Sequence, residues 1–199
     1  MKTDNSSDAS TPSAQTIYPN IGLIPGGTRV LITGTGFEDG AVVRIGDDLA
    51  TDIQVFPGGT YILASAPAGK TLMSPVDVTV SNPGGQSSTL AQAFRYTFVA
   101  SDPFPYMPPP IALLVMPTEG PTSGGTRVKI YGQYFSASTT VTFGGTPVSG
   151  LEFIDGTLLQ ATTGEHPAGK VDVTVNNPSD YPIPDNPTST TTPDAFTYI

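Results

Sequence analysis

The chain has 199 residues and a net charge of −9, with 8 Lys and Arg set against 17 Asp and Glu, and it contains no Cys. So few and scattered basic residues cannot neutralise a phosphate backbone or an anionic bilayer surface, which excludes nucleic acid as a partner. No apolar run is long enough to insert in a membrane, and without Cys there is no disulfide framework or thiolate metal site.

Gly 22 and Pro 21 punctuate short runs rich in Val, Ile, Thr, Tyr and Phe. No window carries helical periodicity, so the composition reads as all-β with many turns. Residues 1–16 are almost wholly polar and read as a disorder-prone tail. If ordered, that tail is held by a neighbouring subunit or by a contact within the chain. Met1-Lys2-Thr3-Asp4 leads into no apolar stretch, so it does not read as a signal peptide. A first domain is expected over residues 17–99. Its edge strand runs Ile17–Ile24, broken by Pro19 and Pro25, and a strong strand follows at Arg29–Thr33. A third is expected over Val42–Ile45, then a turn at Asp47-Asp48. Pro57-Gly58-Gly59 joins two more strands as a hairpin. Val76–Val80 alternates with its valines inward, and Ala93–Tyr96 closes the domain.

Residues 100–110 are a Pro-rich linker, expected to be an extended, semi-rigid spacer. The alternative is that Phe104, Tyr106 and Met107 pack on a domain. Residues 111–199 repeat the first domain's order of events. Gly124-Gly125-Thr126 follows Gly26-Gly27-Thr28, and Gly27 and Gly125 stand 98 residues apart (125 − 27). Gly132 and Phe135 answer Gly34 and Phe37. Val171-Asp172-Val173-Thr174-Val175 answers Val76-Asp77-Val78-Thr79-Val80, and Asn177-Pro178 answers Asn82-Pro83. A repeat near 100 residues is a duplicated domain, not a solenoid unit. The largest departure between the copies is a loop expected over residues 179–193.

These motifs, in this order and twice over, resemble the IPT/TIG family of immunoglobulin-like domains. Gly120-Pro121-Thr122-Ser123-Gly124-Gly125-Thr126, Gly132-Gln133-Tyr134-Phe135, Phe143-Gly144-Gly145 and Phe196-Thr197-Tyr198 carry the resemblance in the second copy, and the first copy is looser. The resemblance implies two tandem two-sheet sandwiches. Such domains occur in bacterial surface proteins, receptor ectodomains, starch-acting enzymes, virion proteins and transcription factors, the last relying on basic loops that this chain lacks.

The residues offer little chemistry. His166 is the sole histidine and reads as structural, because a base or nucleophile pair needs a second partner. Asp47, Asp48 and Asp52, with Glu38-Asp39 nearby, are calcium candidates, although their spacing matches no known loop. No enzyme activity and no cofactor is expected. The leading expectation is a structural and display protein, extracellular or on a virion surface. It would be a phage decoration or tail-associated protein, or a bacterial surface or filament protein, serving adhesion or stabilisation. It would engage a protein partner or its own copies through the N-terminal tail, with Thr11, Pro12, Ile17, Tyr18, Tyr106, Tyr181 and Ile183 as contact candidates. The alternative is a glycan-binding module, for which Tyr61, Tyr106, Tyr134 and Tyr181 would supply stacking platforms.

Overall fold

In the computed structural model, residues 10–97, 108–178 and 188–199 are described. All their regular structure is β, and they divide between two compact units, residues 1–101 and 102–199. In the first unit the strands are β1 (Ser13–Tyr18), β2 (Ile21–Leu23), β3 (Arg29–Thr35), β4 (Val42–Ile45), β5 (Asp48–Leu49), β6 (Thr51–Val55), β7 (Tyr61–Ser65), β8 (Val76–Ser81) and β9 (Ser87–Thr97). The second unit repeats them as β10 (Ile111–Met116), β11 (Glu119–Gly120), β12 (Arg127–Gln133), β13 (Thr140–Phe143), β14 (Thr146–Pro147), β15 (Ser149–Asp155), β16 (Leu158–Thr162), β17 (Gly169–Asn176) and β18 (Ser189–Tyr198).

Each unit is a sandwich of a four-stranded and a five-stranded sheet. The orders are β1-β3-β7-β6 with β2-β9-β8-β4-β5, and β10-β12-β16-β15 with β11-β18-β17-β13-β14. The two topologies are the same strand for strand.

Three sequence expectations change. The expected edge strand Ile17–Ile24 is two strands in different sheets. β1 pairs antiparallel with β3, and β2 pairs parallel with β9. The chain crosses between sheets at Pro19, whose missing N–H could not serve a continuous ladder. Residues 13–16, read from their polarity as tail, form the first part of β1: Thr16 lies opposite Thr33 with their hydroxyls 2.6 Å apart. A solvent-facing edge strand needs few apolar residues, so composition alone hides it. Finally, residues 189–193 of the expected long loop belong to β18, opposite the end of β17. The rest of that loop, Tyr181 and Ile183 included, lies outside the described residues. So does most of the linker, with Phe104, Tyr106 and Met107.

The inward faces make one core per unit. Val30, Ile32, Val43, Ile62, Val78, Val80 and Phe94 fill the first, and Val128, Ile130, Phe143, Leu159, Val173, Val175 and Phe196 fill the second. Of the expected inward valines of β8, Val78 and Val80 are among them, and Val76 packs against the core partly buried. Edge-to-face rings close one end of each core, Phe94 on Tyr96 at 5.1 Å and Phe196 on Tyr198 at 5.0 Å. Leu31 and Leu63 are also buried, at 8% and 0% exposure, yet they alternate with core residues and lie on the opposite face of their sheet.

Candidate functional site

The recurring polar residues hydrogen-bond within their own domain. Asn82 is 4% exposed. Its amide donates to the carbonyls of Gly36 (2.7 Å) and Ser10 (2.8 Å), and its side-chain oxygen accepts from Glu38 N (3.2 Å). Asn177 clasps the matching loop by donating to Tyr134 O at 2.7 Å. The aspartates of the two Val-Asp-Val motifs have one shared task. Asp77 accepts from Gln92 N at 2.8 Å and Asp172 from Asp194 N at 3.0 Å. Gln92 and Asp194 have φ of 52° and 51°, each in a bulge of the last strand, so the carboxylate satisfies an N–H that the ladder leaves over. Gly34 and Gly132 allow close approach. A Cβ there would lie 2.2 Å from Ser13 O and 2.0 Å from Ile111 O, against the neighbouring strand and the rings of Phe37 and Phe135.

The predicted contact residues separate. Thr11 is exposed and Tyr18 is 53% exposed, so both remain surface. Pro12 is buried, and Ile17 belongs to the first core, so neither presents a face to a partner. Ser10 is tied within the chain: its N donates to Glu38 Oε1 at 2.8 Å while its O accepts from Asn82. The calcium candidates do not converge. Among the described residues no three His, Cys, Asp or Glu side chains group as a metal site, and Asp48 lies 2.6 Å from Lys70 Nζ. That hydrogen bond raises the Lys70 ammonium's pKa. Tyr61 and Tyr134 fall in different units.

One position that the sequence presents as structural, His166, has a setting of its own. His166 N donates to Thr122 O at 3.0 Å, as Gly69 N does to Ile24 O at 2.8 Å in the first unit, so His166 stands where the other copy has glycine. Its ring stacks on Tyr198 with centroids 5.0 Å apart and planes 21° apart. Nδ1 lies 2.9 Å from Pro167 O, and because a carbonyl only accepts, Nδ1 carries the hydrogen. Nε2 sits over Gly144, where a Cβ would come within 2.5 Å of it. The ring separates two open depressions. One is lined by Thr122, Ser123, Glu165 and Pro167, the other by Gly144, Gly145, Lys170, Asp172, Thr174 and Thr191.

The profile of the IPT/TIG domain matches residues 12–96 and again 110–198, most of the chain. The chain belongs to the IPT/TIG domain family. Among curated proteins it is similar to Fibrocystin-L of Mus musculus, 28% identical over 83% of this chain and 4% of that protein. Protein SPT23 of Saccharomyces cerevisiae is 32% identical over 38% of this chain and 7% of its own length. The chain therefore spans only a small part of the relatives it matches. Among solved structures, the full extracellular region of Plexin A4 is 19% identical, with 100% of this chain and 19% of that one covered and a TM-score of 0.40. SGBP-B from a xyloglucan utilization locus in Bacteroides uniformis is 18% identical, with 94% and 49% covered and a TM-score of 0.36. Likeness of this size carries no argument about function.

The two IPT/TIG domains differ in the connection that carries His166. In the first, residues 66–75 join β7 to β8, and Lys70 reaches Asp48. In the second, residues 163–168 make the same connection and leave the depressions open. The sequence signal available was the alignment of His166 with Gly69, which becomes readable only once the shorter loop is recognised.

Proposed function

We propose that the chain is a non-catalytic structural and display element. Its two immunoglobulin-like modules are carried on a larger assembly outside a cell or on a virion, for adhesion or stabilisation. One observation supports this reading most: the polar residues that recur in both copies are engaged by hydrogen bonds within their own domain, and the copies diverge in outer faces and loops, where binding modules vary. Attachment through the N-terminal region is the second part of the proposal, with Thr11 and Tyr18 as the expected contact residues that are exposed.

The test is fractionation of the native source. The full chain should sediment with particles or envelope, and a variant lacking residues 1–9 should stay folded but be released. A cut reaching residue 16 would remove part of β1 and confuse attachment with folding. A full-length chain that stays free in the soluble fraction overturns the reading. Light scattering then separates the modes of attachment. A 20.6 kDa monomer points to a foreign partner, and an oligomer that dissociates on truncation points to contacts between copies.

A further inference from the structure

We propose that the open surface on the far side of His166 in the second domain, over Gly144, Gly145, Asp172, Thr174 and Thr191, is a binding site for a neutral saccharide. The site adds to the display reading and does not rest on it. Three features carry it.

The imidazole is held in place beforehand. Tyr198 supports one ring face, Pro167 O fixes Nδ1, and the absence of a side chain at Gly144 leaves room for Nε2. Tyr198 is in turn fixed by its hydroxyl, which donates to Gly164 O at 3.1 Å. A ring so held loses little entropy when a flat C–H face of a sugar packs on it. With its hydrogen on Nδ1, the ring offers Nε2 as an acceptor for a sugar hydroxyl.

The lining is rich in groups that exchange hydrogen bonds with hydroxyls. Thr174 and Thr191 stand opposite each other across β17 and β18, their hydroxyls 2.9 Å apart. Asp172 and Lys170 flank them. The charges argue against an anion. Lys170 lies 3.9 Å from Asp194, and Asp172 and Glu165 add negative charge on either side of the ring. Among the described residues no three ligating side chains group here, and Val171 alone among the lining is aliphatic, too little for an apolar ligand.

The first domain supplies an internal control. There Gly69 replaces the histidine, a Cβ at that position would lie 2.3 Å from the Tyr96 ring, and the longer loop brings Lys70 to Asp48. The same fold thus exists without the platform.

The test is a two-dimensional amide NMR titration of the full chain with cellohexaose, maltohexaose, laminarihexaose and mannohexaose in turn. The expected result is saturable shifts with at least one hexaose, centred on Gly144, Gly145, His166, Asp172, Thr174 and Thr191. The matching residues Gly46, Gly69 and Asp77 should stay still. His166→Ala should weaken binding about tenfold or more. Thr191→Val, an exposed strand position, should weaken it with an unchanged melting temperature, which separates loss of the site from loss of the fold. Absence of saturable shifts with all four sugars overturns the proposal, as does equal affinity of the wild type and both variants.

Discussion

The two domains share every strand pairing but not their surfaces. On the outer face of the first four-stranded sheet, Leu31 and Leu63 are buried. The matching residues of the second are Lys129, which is exposed, and Gln160, which is half-buried. On the edge strands the pattern reverses. Gln15 and Thr16 of β1 are exposed, while Leu113 and Leu114 of β10 are buried outside their domain's core cluster. Near the end of each last strand, the Tyr198 hydroxyl finds Gly164 O, whereas the Tyr96 hydroxyl is buried and has no hydrogen-bond partner among the described residues. After duplication, the internal clasps stayed fixed by geometry, and each outer face was free to follow its own contacts.

The largest effect should come from the shared core. Phe37→Ala and Phe135→Ala each remove a buried ring and should cost about 3–5 kcal/mol. If the sandwiches fold independently, each variant melts one domain and leaves amide protection in the other. Loss of both together would break the picture of two self-sufficient modules.

The clasps come next. Asn82→Ala should cost about 1–3 kcal/mol, since a buried side chain that bonds the carbonyls of Gly36 and Ser10 and the N–H of Glu38 is lost. Asn177→Ala should cost less, because Asn177 is only half-buried. Chemical denaturation of the two variants would measure the difference, and a larger loss from Asn177→Ala would contradict it.

The tyrosines sharpen the contrast further. Tyr198→Phe gives up a hydrogen bond and should cost about 1 kcal/mol, whereas Tyr96→Phe should be neutral or stabilising. Burial, with Asp48's charge adding, pushes the Tyr96 hydroxyl up to about 12. A phenol with a folded pKa above its unfolded value of about 10 contributes stability that is complete below pH 10. That contribution disappears as the pH rises through 12. Thermal melts between pH 10 and 12 should therefore show a steeper loss for the wild type than for Tyr96→Phe, and parallel curves would refute the assignment. The smallest effect belongs to Lys70→Ala, which removes a solvent-exposed bridge and should leave the melting temperature unchanged.

Much of this was legible in the chain. The period near 100 residues gave the duplication, and the alternating valines of β8 and β17 gave the inward faces. The paired glycines and Pro57-Gly58-Gly59 marked turns, because these depend on local backbone freedom and on side-chain alternation, which sequence records directly. Position by position, the motifs also pointed to the family. Their purpose was not legible. That Asp77 and Asp172 serve a bulge, or that Asn82 holds Ser10 from 72 positions away, depends on which strands become neighbours. Residues 13–16 of β1 read as tail because an edge strand facing water needs no apolar signature, and their pairing with β3 settles the matter only in three dimensions. His166 looked incidental for the same reason. Its stack on Tyr198 and its room above Gly144 bring together three segments far apart in sequence. Local conformation and periodicity were thus written in the residues themselves, while clasps, faces and the imidazole platform arise from contacts that only the folded sandwich brings within reach.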